Sequence, residues 1–229
     1  MRLSVHGLGH RFTPDHWLFQ GVELEFEPGQ VYALTGPSGS GKSTLLSLLA
    51  GWETPAAGRI ERIGVHRVCW VFQNPHGSPM RAAIDHVALP ILARGATARE
   101  ADRQAETYLR QFGLAEVARS PFRALSGGEA QRLMLARGIA SNPDLLLIDE
   151  PTAQLDLATA DEVNATLTSM ASPTRIVVIA THDARTRDAC TRHLDLRDYQ
   201  SGASARRGLS EPEPPGSPPW TFSSRGPSS

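Results

Sequence analysis

The chain has 229 residues, 40% of them apolar and 21% charged, with a formal net charge of -1. That length suits one domain with a real core, and the near-neutral balance gives no basic surface for a nucleic-acid partner. No run approaches the roughly 18 apolar residues of a membrane span, and no long apolar core follows Arg2, so the chain is expected in the cytoplasm, held at any membrane by a partner.

Two cysteines, Cys69 and Cys190, and eight histidines show no metal-type spacing. In chain order, Val22-Glu23-Leu24-Glu25-Phe26 alternates with period two and predicts a strand with one wet face, part of a small antiparallel layer. Val31 to Thr35 is a short apolar strand that runs straight into Gly36-Pro37-Ser38-Gly39-Ser40-Gly41-Lys42-Ser43. That octet fits G-x-x-x-x-G-K-[ST], between a strand and a helix expected over Lys42–Ala50. Glycines let the backbone turn its N–H groups onto phosphate oxygens, and the helix N-terminus adds partial positive charge. Lys42 can reach the β- and γ-phosphates, and the Ser43 hydroxyl can ligate Mg²⁺. The loop by itself says only nucleotide.

Between Pro79 and Phe112 the pattern turns helical and predicts a helical insertion. Leu125-Ser126-Gly127-Gly128-Glu129-Ala130-Gln131-Arg132 opens a helix expected over Glu129–Ala140, and its free N–H groups make a second anion site; a plain helix cap is the other reading. Leu145 to Ile148 is a continuous apolar run, as in a central parallel strand covered on both faces. It ends in Asp149, a Mg²⁺ ligand candidate, and Glu150, a general-base candidate. An acidic N-cap pair is the bland alternative, since Pro151 and Thr152 follow. Arg175 to Thr181 is a further strand, and His182 follows it, where ligands sit at strand C-termini of open α/β sheets. Strands alternating with helices predict a doubly wound α/β domain over residues 1–199 with a helical subdomain at roughly 74–140. Residues 200–229 are rich in Pro, Gly and Ser and are expected to be disordered.

A phosphate loop, the Ser126-Gly127-Gly128 segment and the Asp149-Glu150 strand, in that order, resemble the ATP-binding domain of ABC transporters. The resemblance covers roughly Arg2 to Tyr199 and implies a P-loop core with a mostly parallel sheet, a small antiparallel layer and a helical subdomain. It implies ATP and Mg²⁺ as ligands and a nucleotide site that runs from Gly36 through Thr44. It assigns Phe12 as the aromatic that stacks on adenine, and Gln73 as a residue that touches Mg²⁺ and faces the membrane partner. Ser126, Gly127, Gly128 and Glu129 become the signature that closes on ATP held by a second domain. Asp156 becomes the end of the D-loop at that junction, and His182 a γ-phosphate switch. The metal set is then Ser43, Gln73 and Asp149, and the catalytic set Lys42, Glu150 and His182. The implied partners are a second nucleotide-binding domain, in a homodimer, and a transmembrane permease on the inner face of the cell membrane.

Some positions depart from the pattern. The D-loop reads Ala153-Gln154-Leu155-Asp156 where many members have Ser-Ala-Leu-Asp, the adenine platform is Phe rather than Tyr, and Gly51 to Gln73 is short. Val87-Ala88-Leu89-Pro90 and Glu150 through Asp156 resemble the lipoprotein-release and macrolide-export branch. A small-solute importer ATPase and an ATPase that controls an extracytoplasmic enzyme are the alternatives. A P-loop kinase would leave Ser126-Gly127-Gly128 without a use.

Overall fold

A computed structural model describes residues 1–169 and 171–200. The expected disordered tail lies outside the described residues apart from Gln200.

Two sheets form the frame. Strands β1 (Arg2–Thr13), β2 (His16–Phe26) and β4 (Ala57–Ile63) make an antiparallel sheet in the order β2-β1-β4. In β2 the run Val22 to Phe26 alternates buried and exposed, because period-two geometry puts Val22, Leu24 and Phe26 on the core side and Glu23 and Glu25 in water. Four irregularities interrupt the β1–β2 register between Val5 and Thr13, so the hairpin twists as it approaches Phe12.

The second sheet is parallel. It comprises β3 (Val31–Thr35), β5 (Val68–Val71), β6 (Leu145–Asp149), β7 (Ile176–Ala180) and β8 (Arg192–Asp195), in the order β5-β6-β7-β3-β8. Every residue of β6 and β7 is buried. Alternate side chains of β6 feed opposite cores. Leu145 and Leu147 join α1 (Lys42–Ala50) and the antiparallel sheet, whereas Leu146 and Ile148 join the helices on the other face. A continuous apolar run is what two covered faces require.

Helices α2 (Ala83–Ala93), α3 (Ala98–Gln111) and α4 (Gly127–Ala140) pack on one another, as the helical stretch in the sequence predicted. Helix α4 begins two residues earlier than the sequence suggested. Ser126 caps it: Ser126 Oγ accepts the Glu129 N–H at 3.3 Å, while Glu129 Oε2 accepts the Ser126 N–H at 2.7 Å. That reciprocal box draws Gly127 and Gly128 into the first turn. Helices α5 (Leu157–Ser169) and α6 (Ala184–Asp188) complete the α/β alternation. No described helix is long and apolar enough to cross a membrane.

Candidate nucleotide site

The site lies at the C-terminal ends of β3, β6 and β7, where an open α/β sheet leaves its crevice. The chain leaves β3 at Thr35 and turns through Gly36 to Gly41, with the Ser40 N–H donating to Pro37 O at 3.1 Å. Gly41 takes φ 99° as the residue before α1, and no side chain caps that helix end. A Cβ at Gly41 would lie 2.7 Å from Leu18 Cδ2 and 2.9 Å from Phe19 Cδ1, so only glycine fits. The open helix N-terminus keeps its N–H groups available to an anion. The Lys42 ammonium arches back over the loop and donates to Gly36 O at 2.9 Å and Pro37 O at 3.4 Å.

Ser43 is the second residue of α1 and Asp149 ends β6. Ser43 Oγ–H donates to Asp149 Oδ2 at 2.6 Å, which joins two of the three predicted metal ligands. Burial pushes the Asp149 carboxyl above the ordinary aspartate range, the Ser43 bond opposes this, and the neighbouring Glu150 charge adds to it. Such a carboxylate is under-compensated and gains from a nearby cation. The donors here are all hard oxygens, as Mg²⁺ requires. Among the described residues no cluster of three or more His, Cys, Asp or Glu could hold a metal. Mg²⁺ needs none, since it takes most of its shell from water and phosphate.

Glu150 stands on strained backbone. Its φ is 48°, in the left-handed region that costs a non-glycine residue about 1–2 kcal/mol. The Glu150 N–H donates to Ala180 O at 2.8 Å, which ties the residue to the end of β7. The result turns Glu150 away from the line of β6 and toward His182, whose Nδ1 lies 2.8 Å from Glu150 Oε1. His182 itself is open to solvent, at 69% side-chain exposure, while Glu150 is buried at 9%.

These groups border one cavity of about 410 Å³. Its walls are Phe12, Leu18, Ser38, Gly39, Gly41, Lys42, Ser43, Thr44, Gln73, Asp149, Glu150 and His182. Phe12 stands at its rim, 72% exposed, edge-on to His10 with ring centroids 5.0 Å apart. Most of the predicted site therefore converges. Gly36, Pro37 and Ser40 lie behind the wall, where Ser40 is buried beneath Gly36.

The Ser126–Glu129 segment does not border this cavity. Gly127 and Gly128 pack instead against Gln154 and Leu155 of the same chain, with Gln154 Oε1 3.0 Å and Leu155 Cδ2 3.1 Å from where their Cβ atoms would be. Asp156 also stays outside. Its carboxylate accepts the Thr159 N–H at 3.1 Å and Thr159 Oγ–H at 2.7 Å, which starts α5. Hydrogen bonds from Thr159 hold that carboxyl below the ordinary range. The sequence reading missed Leu18, an apolar part of the cavity wall, and Thr181, whose hydroxyl donates to Glu150 Oε2 at 3.3 Å. Leu18 carried no signal, because its role depends on how β2 curls against Gly41. Thr181 was visible only as a strand end.

A phosphate loop at the end of β3, a carboxylate pair at the end of β6 and a polar residue after β7 define a nucleotide-hydrolysing P-loop domain. The family model of the ABC transporter matches residues 19–153. The chain belongs to the ABC transporter family and is one of its ATP-hydrolysing subunits. It is 38% identical over 198 residues to the lipoprotein-releasing system ATP-binding protein LolD of Anaeromyxobacter dehalogenans, covering 79% of this chain and 83% of that one. It is 34% identical over 223 residues to the L-cystine transport system ATP-binding protein TcyN of Escherichia coli, covering 86% and 88%. Among solved structures, it matches a dimeric ATP-binding cassette in a post-hydrolysis state bound to ADP and Pi. That match has 25% identity and a TM-score of 0.78, covering 91% of this chain and 98% of that one.

Proposed function

We propose that two copies of this chain meet head to tail around two Mg·ATP, each copy closing its Ser126–Glu129 signature over the ATP in the other's cavity. One observation carries this reading. The cavity gathers the phosphate loop, Asp149, Glu150 and His182, while a second helix N-terminus, at Ser126, lies outside its walls on the same chain. A second copy gives that helix end a phosphate to meet.

In this reading the Lys42 ammonium and the loop N–H groups trade their contacts with Gly36 and Pro37 for phosphate oxygens. Ser43, Gln73 and Asp149 would hold Mg²⁺, which when bound neutralises charge across the β- and γ-phosphates. Glu150 Oε accepts a proton from the attacking water, and His182 steadies the carboxylate and the γ-phosphate. Phe12 offers a flat face to the base, and Leu18 adds apolar surface to the same cavity. Asp156 orders the D-loop at the junction of the two copies. Residues 1–199 act as one ATP-binding domain, with 74–140 as the helical part that moves relative to the rest. Loss of the γ-phosphate removes the bridge and the pair loosens, because ATP favours the closed pair.

The motion drives a separate transmembrane permease that touches the region after Gln73 and holds the chain at the cytoplasmic face of the membrane. The LolD relatives favour a lipoprotein-release or export system, and Val87-Ala88-Leu89-Pro90 agrees with that branch. The TcyN relative favours a small-solute importer as the second reading. Affinity purification of the full chain from membranes tests the assignment. A stoichiometric integral-membrane subunit supports it, and recovery with ribosomes or DNA instead contradicts it. The number of membrane spans in that subunit separates the two transport readings.

A further inference from the structure

The segment after Gln73 and the segment before Ser126 are bonded to each other, and His86 sits where they join. His86 is on α2 and is 4% exposed. Its Nε2 accepts the Ser78 N–H at 3.0 Å, and its Nδ1 lies 2.9 Å from Ala82 O. A backbone N–H donates and a carbonyl accepts, so the hydrogen-bond network assigns the ring proton to Nδ1. The face of the ring packs on Phe122, with centroids 5.4 Å apart. Phe122 in turn covers Gly77 so closely that a Cβ there would lie 2.5 Å from the Phe122 ring. The backbones are joined as well: the Phe122 N–H donates to Arg81 O at 2.9 Å and the Arg123 N–H to Pro79 O at 3.0 Å. A 3₁₀ turn over Phe122–Ala124 then leads directly to Leu125 and the Ser126 cap.

Neither segment is stiffened by regular structure of its own. Residues 74–82 contain no helix or strand, and neither do residues 112–121. The bonds between them also include the Ala83 N–H to Ser120 O and the Ile84 N–H to Ala118 O, at 2.9 Å each, and His86 adds the side-chain bond that holds Ser78, on the Gln73 side, to this frame. We propose that His86 is a positioning residue that completes the join of 77–84 and 118–126 into a single mechanical piece. A displacement applied beside Gln73 then arrives at Ser126, and closure of Ser126 on nucleotide is felt beside Gln73. The inference rests on the reading above, in which Ser126 meets the ATP of a second copy.

Hydrogen exchange on the full chain carrying Glu150→Gln tests it, with and without Mg·ATP. With native His86, ATP slows exchange at 126–129 and also at 77–84, the latter by about tenfold, a typical coupling factor. His86→Leu removes both ring nitrogens: protection stays at 126–129 and falls below about twofold at 77–84. His86→Gln keeps an acceptor for the Ser78 N–H and restores the transfer. Full ATP-induced protection of 77–84 in His86→Leu overturns the proposal. If ATP pairs no chains, read by light scattering on the same samples, the two-copy reading fails and this inference falls with it. A second measurement needs no variant at position 86. In the native chain the Ser78, Phe122 and Arg123 amides open together and exchange with one common free energy of opening; separate values overturn the proposal.

Discussion

Glu150 reaches His182 from a left-handed backbone position, φ 48°, at the end of β6. The imidazole Nδ1–H donates to Glu150 Oε1 at 2.8 Å, and Glu150 Oε2 accepts from Thr181 Oγ–H and the His182 N–H at 3.3 Å each. The left-handed φ of Glu150 and its bond to Ala180 O turn the carboxylate into this position. Strain at such a site persists only where its surroundings over-determine it.

Because the two side chains act through one contact, their losses should not add. Glu150→Gln keeps ATP affinity and slows steady-state hydrolysis by on the order of a hundredfold, the size of general-base assistance. His182→Ala slows it comparably. The double variant should be no slower than the slower single variant, within about threefold. Steady-state phosphate release on the three proteins decides the matter; losses that multiply would assign the residues independent roles.

Lys42→Ala should act on binding. Hydrogen bonds from a charged donor are worth roughly 1.5–3 kcal/mol, so ATP affinity should fall by about ten- to 150-fold. Titration calorimetry with Glu150→Gln as the background, so that no ATP is consumed, measures this. Unchanged affinity would remove Lys42 from the phosphate site.

Gly41→Ala should damage fold and site together. The substitution carries the left-handed penalty of about 1–2 kcal/mol and overlaps Leu18 and Phe19. Total destabilisation should reach at least about 2 kcal/mol, seen in denaturant unfolding, with ATP affinity reduced as well. A fully stable variant would mean the loop can relax away from β2.

The capping box at Ser126 predicts a pH effect. The Ser126 N–H and hydroxyl hold the Glu129 carboxyl below the ordinary glutamate range. A folded pKa below the unfolded one adds stability above the unfolded value, near 4.3, and that stability is lost as pH falls through the folded value. Glu129 is part-exposed, so screening trims the effect to about 0.5 kcal/mol. Glu129→Ala should therefore lower stability at pH 7 and much less at pH values below the folded one. Glu129→Gln, which can still close the box, should remain nearer to native at pH 7. Equal deficits of the alanine variant at both pH values would mean the carboxylate charge contributes nothing.

The frame of this protein was legible because its signals are local. The run from Leu145 to Ile148 needs only its own composition to be a central strand, and Val22 to Phe26 needs only its alternation. The phosphate loop is equally local, since glycine spacing and the Lys42-Ser43 pair sit in one stretch of chain. What was not legible depends on tertiary meetings. The strained turn at Glu150 is set by β7, whose Ala180 lies far along the chain. Leu18 becomes part of the site only because β2 folds over Gly41. The bond between His86 and Ser78 is near in sequence, yet it gains meaning only through Phe122, which no periodicity connects to Gly77. The start of α4 was misplaced for a local reason: two glycines, poor helix formers, read as loop until the Ser126–Glu129 box three residues apart draws them into the helix.

The most direct test is the mass of the Glu150→Gln chain by light scattering as Mg·ATP is added. Two half-sites that complete each other predict a monomer without nucleotide and a dimer with it, and Ser126→Arg should leave ATP binding intact while abolishing the dimer. A chain that stays monomeric at saturating Mg·ATP, or a Ser126→Arg variant that pairs as readily as its parent, would contradict the account.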